Sequence, residues 1–138
     1  MKDEQAQQTA EQWLTNSAET AAQKNLSAHM GMISKRISVE GVPGFDNLDY
    51  DIWHEQCKTQ FEQSMIKSVA YKGFNLLSST DSEIVFTVYE TVVGTDGTLN
   101  EQIVEMCLEK EDDDVWRLVK ERMILENDAL RNHELSSK

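Results

Sequence analysis

Glu90 falls in a run where Ile84, Phe86, Val88 and Val92 occupy alternate positions, so a strand there sets a carboxyl group on an otherwise apolar face. Such a carboxyl is either paired or carries a shifted pKa. Facing a cavity it would act as general acid or base, or hold a polar group of a ligand; at a sheet edge or subunit contact it would be structural. Glu121, between Val119 and Met123, poses the same question, and Arg117 and Arg122 on its strand are candidate partners for either glutamate. Glu90 is therefore the candidate catalytic residue, with Tyr50 as a candidate second proton carrier.

Other chemistry-bearing spacings are incomplete. His54-Glu55-Gln56-Cys57-Lys58 begins like the His-Glu-x-x-His of a zinc protease, but Lys58 stands where the second ligand would be, which leaves an amphipathic helix. His29 and His133 have no partner at ligand spacing. The acidic run 109–114 lacks the glycine and alternating ligands of a calcium loop and reads as a solvated turn. Without a phosphate-binding glycine pattern or a nucleophile elbow, neither nucleotide nor acyl-transfer chemistry is indicated, and no metal or cofactor is expected.

A chain of 138 residues is one ordinary domain, whose folding removes roughly two thirds of the unfolded surface from water. Its 13 basic and 25 acidic residues leave a formal charge of −12, which repels polyanions at steering distance, so no nucleic acid partner is expected. Cys57 and Cys107 form no Cys-x-x-Cys and read as reduced thiols. No apolar run approaches the roughly 20 residues of a membrane span, and the opening Met-Lys-Asp-Glu-Gln lacks the apolar core of a secretion signal. The expectation is a cytoplasmic protein with no membrane partner.

The elements that must position Glu90 follow from periodicity. Residues 3–24 contain no Gly or Pro, and Ala6, Ala10, Trp13, Leu14, Ser17 and Ala21 form one helical stripe. Residues 26–33 predict a short second helix, and 35–40 alternate as a half-buried strand. The only proline, Pro43, with Gly41 and Gly44, makes a turn. Asp49 or Asp51 then caps a third helix with Ile52, Trp53, Gln56, Cys57, Gln60 and Phe61 on its inner side. Four strands follow: 65–77 with a bulge at Gly73, one through Ile84 to Val93, one after the Asp96-Gly97 hairpin, and 115–125. Residues 127–138 form a polar tail. Helices first and a meander after them indicate an α+β fold whose sheet curls around the helices.

This order, the Val39-Glu40-Gly41-Val42-Pro43-Gly44 turn ahead of the third helix, and a last strand opening Asp114-Val115-Trp116-Arg117-Leu118 resemble the nuclear transport factor 2-like superfamily over residues 3–126. The resemblance is to its SnoaL-like and ketosteroid-isomerase-like members. It implies a cone-shaped, curved antiparallel sheet wrapped around three helices (a cystatin-like barrel), with one SnoaL-like domain at 1–126 and the tail at 127–138. That fold hosts isomerases, dehydratases, hydrolases, transport factors and ligand-binding or assembly domains, so it does not by itself give function. It also implies an apolar cavity, lined here by Trp13, Met30, Trp53, Cys57, Phe61, Phe86 and Met106, although core packing alone accounts for aromatic and Met residues at such positions.

Ketosteroid isomerases carry Val-Glu-Asp-Pro-x-Gly at the end of the first strand, with the aspartate as base. Aligned on Val39-Glu40, Gly41 replaces that base, and alternation turns Glu40 the other way unless the register slips by one. The expectation is a small-molecule-binding domain with an apolar cavity, acting as a homodimer through the second face of the sheet (Val85, Thr87, Tyr89, Val93, Ile103, Cys107). Two alternatives stand beside it: a cofactor-independent isomerase, dehydratase or hydrolase using Glu90, and a protein-interaction module working through the outer face.

Overall fold

A computed structural model describes residues 2–41 and 48–124. Helix α1 (Asp3–Ala22) buries the stripe its spacing marks out, Ala6, Ala10, Trp13, Leu14, Ser17 and Ala21. Lys24 then turns left-handed (φ 56°), and Asn25 caps α2 (Leu26–Met30) by accepting from the Ala28 amide at 3.2 Å. This helix is shorter than expected, because Ile33 already begins strand β1 (Ile33–Glu40), with Ile37 and Val39 turned inward.

Only Gly41 of the expected Pro43 turn is described; Pro43, Gly44, the 127–138 tail and His133 lie outside the described residues. Leu48 exchanges backbone hydrogen bonds with Val39 (3.1 Å each), and Asp49 caps α3 (Tyr50–Glu62) through the Ile52 amide at 3.0 Å. Cys57 and Phe61 face the core from α3. Ile52 does not: its spacing allows it on the inner side, but the inward line runs through Trp53, Cys57 and Phe61, and one residue earlier lies about 100° around the helix.

Strands β2 (Ile66–Ser79), β3 (Glu83–Gly94), β4 (Leu99–Lys110) and β5 (Trp116–Met123) form the meander. The sheet order is β1-β5-β4-β3-β2, so β1 and β2 are free edges and the curved sheet is not closed into a barrel. Four strands are antiparallel as expected, but β1 runs parallel to β5, which makes the sheet mixed. Alternation carries no strand direction, and a connection as long as α3 plus three strands permits either sense. Gly73 (φ 67°) lies in the register shift between Lys72 and Asn75, the expected bulge.

Helix α1 lies across β2 and α3 beside β1. Beneath them Ile84, Phe86, Val88, Val104, Met106, Leu108 and Leu118 form a core with essentially no exposure. Burying side chains of this size stabilises by about 1.5–3 kcal/mol each before entropy is charged. No helix among the described residues is long and apolar enough to cross a membrane.

Candidate functional site

The strand register brings the two glutamates together. Tyr71 of β2 pairs with Glu90 of β3, Glu90 pairs with Gln102 of β4, and Met106 of β4 pairs with Glu121 of β5, so adjacent strands present these side chains to the helix-covered face. The end of that face nearer α3 is not filled. A pocket of about 240 Å³ lies there, its apolar wall formed by residues such as Trp13, Val39, Trp53, Phe61, Met106 and Leu118. Ser17, His29, Cys57, Tyr71, Glu90 and Glu121 line it with polar groups, as do Gln56 and Gln60 from α3.

Glu90 Oε1 accepts from Gln102 Nε2 at 2.9 Å, and the Tyr71 hydroxyl is a second hydrogen-bond partner. Burial raises the Glu90 pKa above the usual carboxylate value, and those two hydrogen bonds restrain the rise. Glu121 is only 5% exposed; burial raises its pKa far above normal, and the neighbouring Glu90 charge adds to the effect. Two carboxyl groups in one low-dielectric pocket cannot both ionise without a counter-charge.

Tyr71 belongs to an edge strand and is half-buried, but its hydroxyl sits inside, 3.3 Å from Ser17 Oγ. Burial first, then Glu90, raises its pKa well above the ordinary phenol value, so it remains a hydroxyl at neutral pH. Burial also pushes the Cys57 thiol up to about 11, which leaves it un-ionised and a poor nucleophile. His29 is kept below its ordinary pKa by burial; its Nδ1 lies 2.8 Å from Thr20 Oγ1 and its ring meets Phe61 edge-on at 5.6 Å. Among the described residues the arrangement thus offers proton donors and acceptors of carboxyl and phenol type, without a thiolate or a fixed cation.

Of the residues singled out from sequence, Trp13, Trp53, Cys57, Phe61, Met106 and Glu90 meet in this pocket. Three others do not. Phe86 lies two strand pairs from Glu90, fully buried and stacked on Phe74 at 4.9 Å. Met30 and Tyr50 line a separate, broad depression with Arg36, His54, Glu111 and Arg117. Tyr50 opens α3 with its ring 6.3 Å from that of His54, so the phenol beside Glu90 is Tyr71.

The two arginines are occupied elsewhere: Arg117 binds Asp113 at 2.8 Å and Glu111 at 3.2 Å, and Arg122 binds Glu105 at 3.3 Å. Arg122 and Glu121 point to opposite faces because they are adjacent in a strand. Glu109 and Glu111 of the acidic run pair with Arg36, each at 3.2 Å.

Tyr71 was readable as a strand residue but not as a neighbour of Glu90. Its cross-strand position depends on the bulge at Gly73, and one residue of slip would place it on the other face. Ser17 gave no signal beyond its place on the α1 stripe, and His29 had no partner at ligand spacing to mark it.

Glu40 is exposed, and Gly41 adopts φ +82° with its would-be Cβ 2.5 Å from the Met123 carbonyl oxygen. Neither supplies a base to the pocket, and an aspartate at Gly41 meets both backbone strain and a collision.

No protein-family profile and no curated protein matches the sequence. Solved structures do match in shape. A proposed aromatic ring hydroxylase of Novosphingobium aromaticivorans superposes with a TM-score of 0.71 at 10% identity, over 91% of this chain and 92% of its own. An NTF-2-like protein of unknown function from Shewanella oneidensis MR-1 gives 0.69 at 11% identity, over 85% and 97%. A proposed dehydratase of the NTF2-like family from Streptomyces avermitilis gives 0.65 at 12% identity, over 88% and 97%. With three helices laid against one face of a curved, open five-stranded sheet, the chain has the α+β, cystatin-like fold of the nuclear transport factor 2-like superfamily.

Proposed function

We propose that the chain binds a small, mainly apolar molecule between α3 and the sheet, with Glu90, Glu121 and Tyr71 engaging its polar end. The observation that carries this reading is the unfilled, largely apolar pocket into which three ionisable side chains from three strands converge. Pockets of this kind fix a ligand through apolar area and orient it through a few polar atoms. The likeness in fold to a proposed hydroxylase and a proposed dehydratase agrees with small-molecule binding. The test uses aromatic alcohols and amines as probes, with Trp13 and Trp53 as fluorescent reporters in the pocket wall. Binding should change their emission and should vanish in Cys57→Phe, which fills the pocket, while circular dichroism stays native. Equal binding by parent and Cys57→Phe would overturn the reading.

A second reading, cofactor-independent acid–base catalysis of the isomerase, dehydratase or hydrolase type, is favoured by one specific feature. Burial raises the pKa of both carboxyl groups above the usual carboxylate value, the direction that general acid–base catalysis by a carboxyl group requires. Glu90 would move the proton, and Tyr71 would hydrogen-bond the oxygen on which charge develops. If a substrate is found, Glu90→Gln should lower kcat by about 10²–10⁴-fold; an unchanged kcat would remove Glu90 from the chemistry.

The setting in this reading is the cytoplasm, which agrees with Cys57 and Cys107 both being free thiols. The working form is a homodimer joined across the outer sheet face, where Val85, Tyr89, Val93 and Cys107 are only half-covered.

A further inference from the structure

Glu121 lines the pocket at 5% exposure and, among the described residues, has neither a hydrogen-bond donor nor a cationic partner. Glu90, the second carboxyl group, commits one oxygen to the Gln102 amide. Among the described residues no Lys or Arg lines the pocket, and Arg117 and Arg122 are bound to acids outside it. Among the described residues the other titratable groups lining the pocket with Glu121 are His29 from α2, Cys57 from α3 and Tyr71 from β2, and burial keeps all three neutral near pH 7. Trp13, Trp53 and Phe61 line the same pocket.

Two carboxyl groups with no counter-charge among the described residues, in a pocket that aromatic side chains also line, complement a cation with an apolar body. The protein's net charge of −12 draws such a cation inward. A pocket of about 240 Å³ is smaller than one for a drug-sized ligand, which sets the occupant at about ten non-hydrogen atoms. Building on the small-molecule reading above, we propose that the occupant is an amine: a compact, aromatic or branched apolar molecule with one protonated nitrogen, held between Glu121 and Glu90. On binding, a protonated carboxyl of the pair releases its proton to solvent and becomes the ammonium's counter-ion. Charge balances, with no covalent step.

Titration calorimetry with 2-phenylethylamine, 2-phenylethanol and phenylacetate tests this, because the three share a ring and differ in the charge of the polar end. The amine should bind about tenfold or more tighter than the alcohol near pH 7, with phenylacetate weakest. Its binding heat should vary with the buffer's ionisation enthalpy, because a proton is released. Amine affinity should rise between about pH 5 and pH 8, as the carboxyl pair loses its proton more easily. Glu121→Gln should cancel the amine's advantage over the alcohol, while Glu121→Asp should retain part of it. If the alcohol binds as tightly as the amine, or if Glu121→Gln keeps the preference, the amine inference falls and the small-molecule reading stands. If none of the three binds, both fall.

Discussion

Glu121 and Glu90 impose an electrostatic cost on the fold that depends on pH. A carboxyl group whose folded pKa lies above its unfolded value binds more protons in the native state, so its effect on stability worsens as pH rises from the unfolded pKa through the folded one. Glu121→Gln, which cannot ionise, should therefore raise the urea midpoint more near pH 8 than near pH 5. Equal gains at the two pH values would mean that Glu121 is not held protonated. A second residue-scale expectation concerns Gly41. An unsaturated ketosteroid should not be isomerised, because no base stands at that position, and a general base commonly contributes about 10²–10⁴ in rate. Placing an aspartate there should not restore activity, because φ +82° and the Met123 carbonyl exclude a side chain. Gly41→Ala alone should cost roughly 1 kcal/mol or more of stability. Efficient isomerisation by the parent would contradict the placement of Gly41.

At the scale of elements, α1 and α3 cover the same sheet but contribute differently. Trp13 of α1 is 6% exposed and donates its indole N–H to the Met32 carbonyl at 3.2 Å, so Trp13→Ala should cost about 3–5 kcal/mol. Trp53 of α3 is half-buried over the pocket; its removal should cost less, roughly 1–3 kcal/mol, and should enlarge the pocket instead of collapsing the core. Chemical denaturation of the two variants separates these outcomes, and equal losses would place Trp53 in the core proper. These elements were legible because their signals are local: a helical stripe, a capping Asp49, period-two strands, an Asp-Gly hairpin. The parallel β1–β5 pairing was not, since nothing local records strand direction. The site was half legible for the same reason. Glu90 and Glu121 stand out as carboxyls on apolar faces, whereas Tyr71 and Ser17 join them only through register and helix placement.

For the molecule as a whole, the two faces of the open sheet differ in how they are covered. The inner face and the helices enclose the pocket. The outer face carries half-covered Val85, Tyr89 and Val93, and pairing two copies across it would bury an apolar strip that water would otherwise meet. Light scattering at micromolar concentration should give twice the 15.8 kDa chain mass, and a monomer would contradict the dimer. The acidic surface should also make capture of a cationic probe faster at low salt than at high salt, since exposed charges act only within a Debye length of about 10 Å at 0.1 M.

Small molecules should enter the pocket between α3 and the sheet. Methionine methyl groups mark it from within: Met106 and Met123 line the pocket, Met30 lines the separate depression beside α2, and Met65 is exposed. With 13C-methyl methionine and a titration of 2-phenylethylamine, the resonances of Met106 and Met123 should move together and saturate, while those of Met30 and Met65 stay in place. Movement of Met30 alone, or of none of these methyl groups at saturating probe, would contradict it.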